Sequence, residues 1–255
     1  MGRVIAVSGK GGAGKTLLAA LLVRKLVKTG HKSILAIDAD PDSNLPDALG
    51  VFVESTIGDI REEFSVEQSR LPPGYSKDAW LESKVFEIMV ETPSFDVLVM
   101  GRPEGPGCYC AVNHILRKII DSMTGGYDYA IIDAEAGLEH LSRRTTQNVD
   151  DMIVVTNGSL SGFNTAERIK NLANELRIKF KHLYLVVNRA NSSHEKLILK
   201  RVGSIGLEFA GGIPEDANVA EYNLLGKSLL ELPDDSPAVK AMDEIMEKLS
   251  MQGGK

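Results

Sequence analysis

Cysteine is nearly absent: Cys108 and Cys110 are the two in 255 residues. A basic excess is missing as well. The formal net charge is −6 and the pI is about 5.5, so no overall electrostatic footprint for nucleic acid exists. No apolar run approaches the ~20 residues of a membrane-spanning helix. No charged segment, long apolar stretch or cleavage site precedes Arg3-Val4-Ile5-Ala6-Val7, and the final residues from Lys248 to Lys255 are too short and polar for a membrane-targeting helix. These absences predict a cytoplasmic protein with neither membrane nor nucleic acid as partner. In that compartment the two cysteines stay reduced rather than forming a disulfide. No internal repeat or low-complexity tract appears.

What is present is a globular mix, 43% apolar and 25% charged, in a chain long enough to bury roughly three quarters of its unfolded surface. Short β-branched runs at 4–8, 33–37, 96–100, 129–132, 152–156, 183–187 and 207–210 read as strands. Most are apolar at nearly every position, the pattern of strands covered by helices on both faces of a parallel sheet. Helical stripes lie between them at 16–29, 111–123, 162–176 and 236–249. Alternation of this kind predicts βαβ units with right-handed crossovers. The expected fold is one α/β domain over 1–255, a P-loop domain with a mostly parallel central sheet of about seven or eight strands. Residues 54–95, with Pro72-Pro73-Gly74 in their middle, read as an insertion of short helices and loop. Residues 101–107, in the loop over 101–110, are too rich in glycine and proline for helix.

The strand at 4–8 runs into Gly9-Lys10-Gly11-Gly12-Ala13-Gly14-Lys15-Thr16-Leu17, and an apolar-striped helix follows. This is G-x-x-x-x-G-K-[ST] in the required strand–loop–helix setting. Glycines let the backbone curl its N–H groups toward phosphate oxygens, and the helix N-terminus adds its positive dipole end. Lys15 is expected at the β- and γ-phosphates of ATP, and the Thr16 hydroxyl on Mg²⁺. Lys10 is a second lysine just inside the loop, awkward there unless negative charge meets it.

The run 33–37 leads into Asp38-Ala39-Asp40-Pro41-Asp42-Ser43-Asn44. Ligands bind beyond the carboxyl ends of the strands in an open α/β sheet, which sets Asp38 and Asp40 near phosphate and metal. Asp40 is assigned to the attacking water and Asp38 to the loop and metal shell. Asp42 and Ser43 are expected to cap the next helix. The apolar run 129–132 ends at Asp133, placed to hold the metal through water. Gly137 follows at the spacing of a γ-phosphate-sensing switch, with Glu135, Glu139 and His140 beside it. Asp40 is preferred over Glu135 as the catalytic carboxylate.

Cys108 and Cys110 sit in Gly105-Pro106-Gly107-Cys108-Tyr109-Cys110, a glycine-rich turn rather than an aliphatic core segment. One C-x-C pair supplies two soft thiolates, half of a tetrahedral S₄ site, and two copies would supply four. Zn²⁺ and Ni²⁺ both suit such ligands. An exposed thiol pair with no ligand role, or a redox pair, is the plain alternative. His114 lies four residues on and reads more readily as an ordinary histidine than as a third ligand.

Taken together, these residues resemble the deviant-Walker-A group of dimeric P-loop ATPases, which includes the cell-division regulator MinD, the partition ATPase ParA, the nitrogenase iron protein and the scaffold ATPase Mrp. Gly9-Lys10-Gly11-Gly12 and Gly14-Lys15-Thr16 match its loop, and Asp38-Ala39-Asp40-Pro41 its first switch. Asn188-Arg189 resembles the group's adenine-contacting asparagine, and Ile213-Pro214-Glu215-Asp216 the segment flanking adenine. The resemblance implies a slow ATP hydrolase that forms a homodimer on ATP, is released as ADP and phosphate form, and sends Lys10 across to the partner's phosphates. Cys108-Tyr109-Cys110 and the stretch from Asp133 to Leu141 resemble the CooC branch. That likeness implies nickel or zinc held by Cys108 and Cys110 at the dimer interface, with carbon monoxide dehydrogenase as client for nickel insertion. The other reading is a positioning ATPase of MinD or ParA type acting through membrane or nucleoid. An electron-transferring iron–sulfur protein is disfavoured, because the widely separated cluster cysteines are missing.

Overall fold

The computed structural model describes residues 2–67, 69–70, 76–102, 110–134, 149–175 and 180–252. Eight strands form one sheet: β1 (Arg3–Gly9), β2 (Ile34–Ala39), β3 (Val90–Glu91), β4 (Asp96–Val99), β5 (Tyr129–Ala134), β6 (Asp151–Thr156), β7 (His182–Asn188) and β8 (Glu208–Ile213). Their order is β3-β4-β2-β5-β1-β6-β7-β8, and every neighbouring pair is parallel except the edge pair β3–β4.

The continuous apolar runs have the cause expected of them. In β1, Val4 and Ala6 enter one core cluster while Ile5 and Val7 enter another, so both faces of the strand are buried. One face is covered by α3 (Ile57–Glu67), α4 (Lys77–Ile88), α5 (Cys110–Thr124), α6 (Leu160–Glu175) and α7 (Glu195–Ile205). The other is covered by α1 (Lys15–Lys28), α2 (Leu45–Leu49), α8 (Ala217–Leu225) and α9 (Pro237–Gln252). Helix α1 lies deepest, with Leu18, Leu21, Leu22, Val23 and Leu26 all buried.

Several details depart from the sequence reading. Strands β2, β5 and β7 run on to Ala39, Ala134 and Asn188. Asp38, Asp133 and Asn188 are therefore strand residues, held by neighbouring strands rather than standing in the loops beyond. Within 54–95, where short helices and loop were expected, α3 and α4 contribute to the core: Ile57, Ile60, Phe64, Leu81 and Val85 join it, and Phe64 packs against Trp80 with ring centres 5.4 Å apart. The antiparallel β3 is too short to leave a periodic signal, and α7 and α8 were not foreseen as helices.

Candidate nucleotide site

The loop between β1 and α1 is shaped by two close approaches. A Cβ on Gly9 would lie 2.3 Å from the Val155 carbonyl oxygen on the adjacent strand β6. Gly14 has φ 99°, the left-handed region, and a Cβ there would lie 2.0 Å from the Asn188 amide nitrogen. Gly14 is also the N-cap of α1, and no side chain caps that helix end. The first N–H groups of α1 thus keep their hydrogen-bonding capacity for a ligand, at the positive end of the helix dipole.

Three carboxylates converge on this loop. Asp38 and Asp133 sit side by side on paired strands, in register with each other. Asp133 Oδ2 accepts a hydrogen bond from the Thr16 hydroxyl at 2.6 Å, while its buried Oδ1 has no partner. A Thr hydroxyl beside a carboxylate with one unsatisfied oxygen fits a hydrated Mg²⁺, which would be held by Thr16 directly and by Asp133 through water. Burial pushes the Asp133 carboxyl up to about 7, against the opposing pull of the Thr16 hydrogen bond and the Lys15 charge. Asp38 is fully buried, and burial raises it to about 6 despite hydrogen bonds from two backbone amides. Those amides belong to Asp40, at 3.0 Å, and Leu45, at 2.8 Å. Asp38 therefore folds the segment from Asp40 to Leu45 onto the end of β2.

This changes one assignment. Asp42 and Ser43 do not cap α2; its N-cap is Asn44, without a side-chain bond, and the Leu45 amide is taken by Asp38 instead. The Asp40 carboxylate faces the loop, with Oδ2 3.7 Å from the ammonium of the buried Lys15. Lys10 is exposed, and its ammonium donates to the Ser161 hydroxyl at 3.1 Å, at the start of α6.

A cavity of about 450 Å³ opens from the loop, with Gly12, Lys15, Thr16 and Asp40 at one end. Leu17, Asn223, Lys227 and Leu229 continue its wall. Sequence reasoning passed over the last three; the one available signal was Gly226, the left-handed C-cap of α8. Asn188 lies against the loop, and its partner in the β7–β8 register is Ile213. Pro214 and Glu215 follow directly, and Arg189 is exposed with φ 54°. Cys108, Glu135, Gly137, Glu139 and His140 lie outside the described residues. Cys110 opens α5, which also carries His114, but both side chains lie outside what is described. Among the described residues, no group of three or more His, Cys, Asp and Glu side chains is placed to hold a metal ion by itself. No helix among them is long and apolar enough to cross a membrane.

Strand, glycine cradle, uncapped helix and paired carboxylates define a P-loop nucleotide-binding domain. The chain belongs to the CobQ/CobB/MinD/ParA nucleotide binding domain family, whose pattern it matches over residues 4–229. It is 54% identical to an ATP-binding protein of Methanocaldococcus jannaschii over 248 residues, 96% of this chain and 98% of that one. It is 32% identical to the carbon monoxide dehydrogenase accessory protein CooC of Rhodospirillum rubrum, over 92% of this chain and 91% of that one. The fold is that of the septum site-determining protein MinD of Pyrococcus horikoshii, solved with Mg-ADP. The TM-score is 0.72 at 24% identity, covering all of this chain and 98% of that one.

Proposed function

We propose that this ATPase-family chain hydrolyses ATP slowly as a nucleotide-switched homodimer, and that it serves as a metallochaperone for nickel insertion into carbon monoxide dehydrogenase. The observation that carries the switch is Lys10. It stands exposed at the loop, on the Ser161 hydroxyl rather than inside its own cradle, where a second copy's phosphates can reach it. The likeness to CooC and the Cys108/Cys110 pair support the metal output.

In this reading the loop amides and Lys15 bind the β- and γ-phosphates. Bound Mg²⁺ supplies charge neutralisation across the phosphate oxygens, and Thr16 and Asp133 are the residues that hold it. Asp40 orients a water in line with the bond between the γ-phosphorus and the β–γ bridging oxygen. The water oxygen joins phosphorus, that bond breaks, and the products are ADP and phosphate. Lys10 of each subunit braces the other's phosphates. The closed dimer brings two Cys108/Cys110 pairs together to seat Ni²⁺ or Zn²⁺ as cargo, and loss of the γ-phosphate separates them.

The deciding experiment measures mass by light scattering and metal by mass spectrometry, in nucleotide-free, ADP and ATP-analogue states. One metal ion per dimer is expected, lost in Cys110→Ala. Unchanged metal affinity and stoichiometry in Cys110→Ala would sink the metallochaperone reading. The likeness to MinD over the whole chain favours a second reading, a positioning ATPase. ATP-dependent pelleting with liposomes or DNA would establish it.

A further inference from the structure

Asn188 is the last residue of β7, 6% exposed, and its carboxamide is aimed at the phosphate loop. Its Nδ2 donates to the Ala13 carbonyl oxygen at 2.9 Å, and its Oδ1 accepts from the Arg189 amide at 2.9 Å. A carboxamide has two N–H donors, so one donor remains for a ligand. The Ala13 carbonyl and the Gly14 N–H belong to one planar trans peptide, in which they point in opposite directions. Holding the carbonyl toward Asn188 therefore turns the Gly14 N–H away from it, to the far side of the loop. Among the described residues no other side chain bonds that carbonyl, and Gly14 is glycine at φ 99° with no side-chain cap at the helix end. The contact is also close enough that a Cβ on Gly14 would meet Asn188 Nδ2 at 2.0 Å. The strand beneath is anchored in turn, since Asn188 pairs with Ile213 and the Ala190 amide donates to the Ile213 carbonyl at 2.9 Å.

We infer that Asn188 is a positioning residue for the phosphate loop, fixing the Ala13–Gly14 peptide so that its N–H serves phosphate, in addition to any contact with the base. This rests on the reading that the loop binds a nucleoside triphosphate. It makes affinity for the phosphate chain alone depend on Asn188, which a residue that reads only the base would not do.

Inorganic tripolyphosphate, which has no base, separates the two roles. Titration calorimetry with magnesium would compare ATP and tripolyphosphate on wild type, Asn188→Ala and Asn188→Ser; the serine hydroxyl is too short to replace the amide at Ala13. Loss of one aligning hydrogen bond predicts roughly five- to tenfold weaker tripolyphosphate binding in both variants, with ATP weakened at least as much. The thermal midpoint should stay within a few degrees of wild type. Variants that lose ATP affinity but keep wild-type tripolyphosphate affinity would overturn the inference and leave the nucleotide site intact. A wild type that binds neither ligand would overturn the site reading and this inference with it.

Discussion

At the residue scale, the site is governed by carboxylates placed where water is scarce. Asp38 and Asp133 bind protons more tightly in the folded protein than in the unfolded chain, where such groups titrate near 3.8. Between that value and about 7 the native state holds the extra protons, so stability falls as pH rises through this window and then levels off. The nucleotide-free thermal midpoint should accordingly be lower at pH 8 than at pH 5.5. Asp133→Asn should be the more stable protein at pH 8, with the difference narrowing toward pH 5, while its affinity for Mg-ATP falls at least tenfold. A midpoint that rises between those pH values in wild type and stays parallel in the variant would refute this. Magnesium acts in the opposite direction, because a cation favours the ionised carboxylate. Binding of Mg-ATP near pH 6.5 should release protons, seen as a calorimetric heat that changes with the ionisation enthalpy of the buffer.

At the scale of elements, the segment after β8 depends on one side chain. Asp216 caps α8 by accepting from the Asn218 amide at 2.8 Å, and accepts from the Ala238 amide at 2.9 Å and from the Ser236 hydroxyl, at the start of α9. Burial alone would raise its pKa, but these donors outweigh it and hold the carboxyl below its usual range. The sign is thus opposite to that of Asp133: Asp216 stabilises above the usual carboxylate range and its contribution fades as pH drops through its lowered value. Asp216→Ala should cost about 1–3 kcal/mol in urea unfolding at pH 7, the sum expected for a helix cap and a shared charge-assisted network. Because Pro214 and Glu215 precede it directly, the same variant should weaken ATP more than tripolyphosphate. Equal weakening of both ligands would mean that the segment does not serve the base.

The same scale shows why some elements could be read and others not. The runs 4–8 and 152–156 were legible because burial on both faces leaves them apolar at every position but the last, Ser8 and Thr156. Strand ends were set too early at Asp38, Asp133 and Asn188, since a polar residue reads as the start of a loop. The structure keeps them in the sheet, where Asp38 accepts from the Leu45 amide, one oxygen of Asp133 accepts from the Thr16 hydroxyl, and Asn188 donates to the Ala13 carbonyl. The capping role expected of Asp42 or Ser43 went to Asp38, seven residues from the amide it serves. A local rule cannot find a partner that arrives through the fold.

At the scale of the whole molecule, two contacts distant in sequence tie the ends of the chain to the sheet. Arg3 pairs with the buried Asp151 and donates to the Leu249 carbonyl at 2.7 Å, fastening α9. Arg3→Ala would strand a buried carboxylate and should cost about 2–4 kcal/mol, measured by urea unfolding. Lys10 behaves differently, because among the described residues its ammonium meets only an exposed hydroxyl, 3.1 Å away. Lys10→Ala should leave monomer stability within about 0.5 kcal/mol of wild type yet abolish the ATP-dependent dimer in light scattering. A variant that still dimerises with ATP would remove Lys10 from the interface.

The sequence by itself determined the parallel α/β class, the phosphate loop and the carboxylates that accompany it. Each of these rests on local pattern: apolar runs, glycines that permit the curl, and a lysine and threonine at fixed spacing. Tertiary structure alone decided that Asp38 and Asp133 stand paired on adjacent strands, that Asp133 keeps one buried oxygen unsatisfied, and that Asn188 reaches across to Ala13. Those relations join residues about a hundred or more positions apart, and their energies come from burial and from partners that exist only once the strands have lined up.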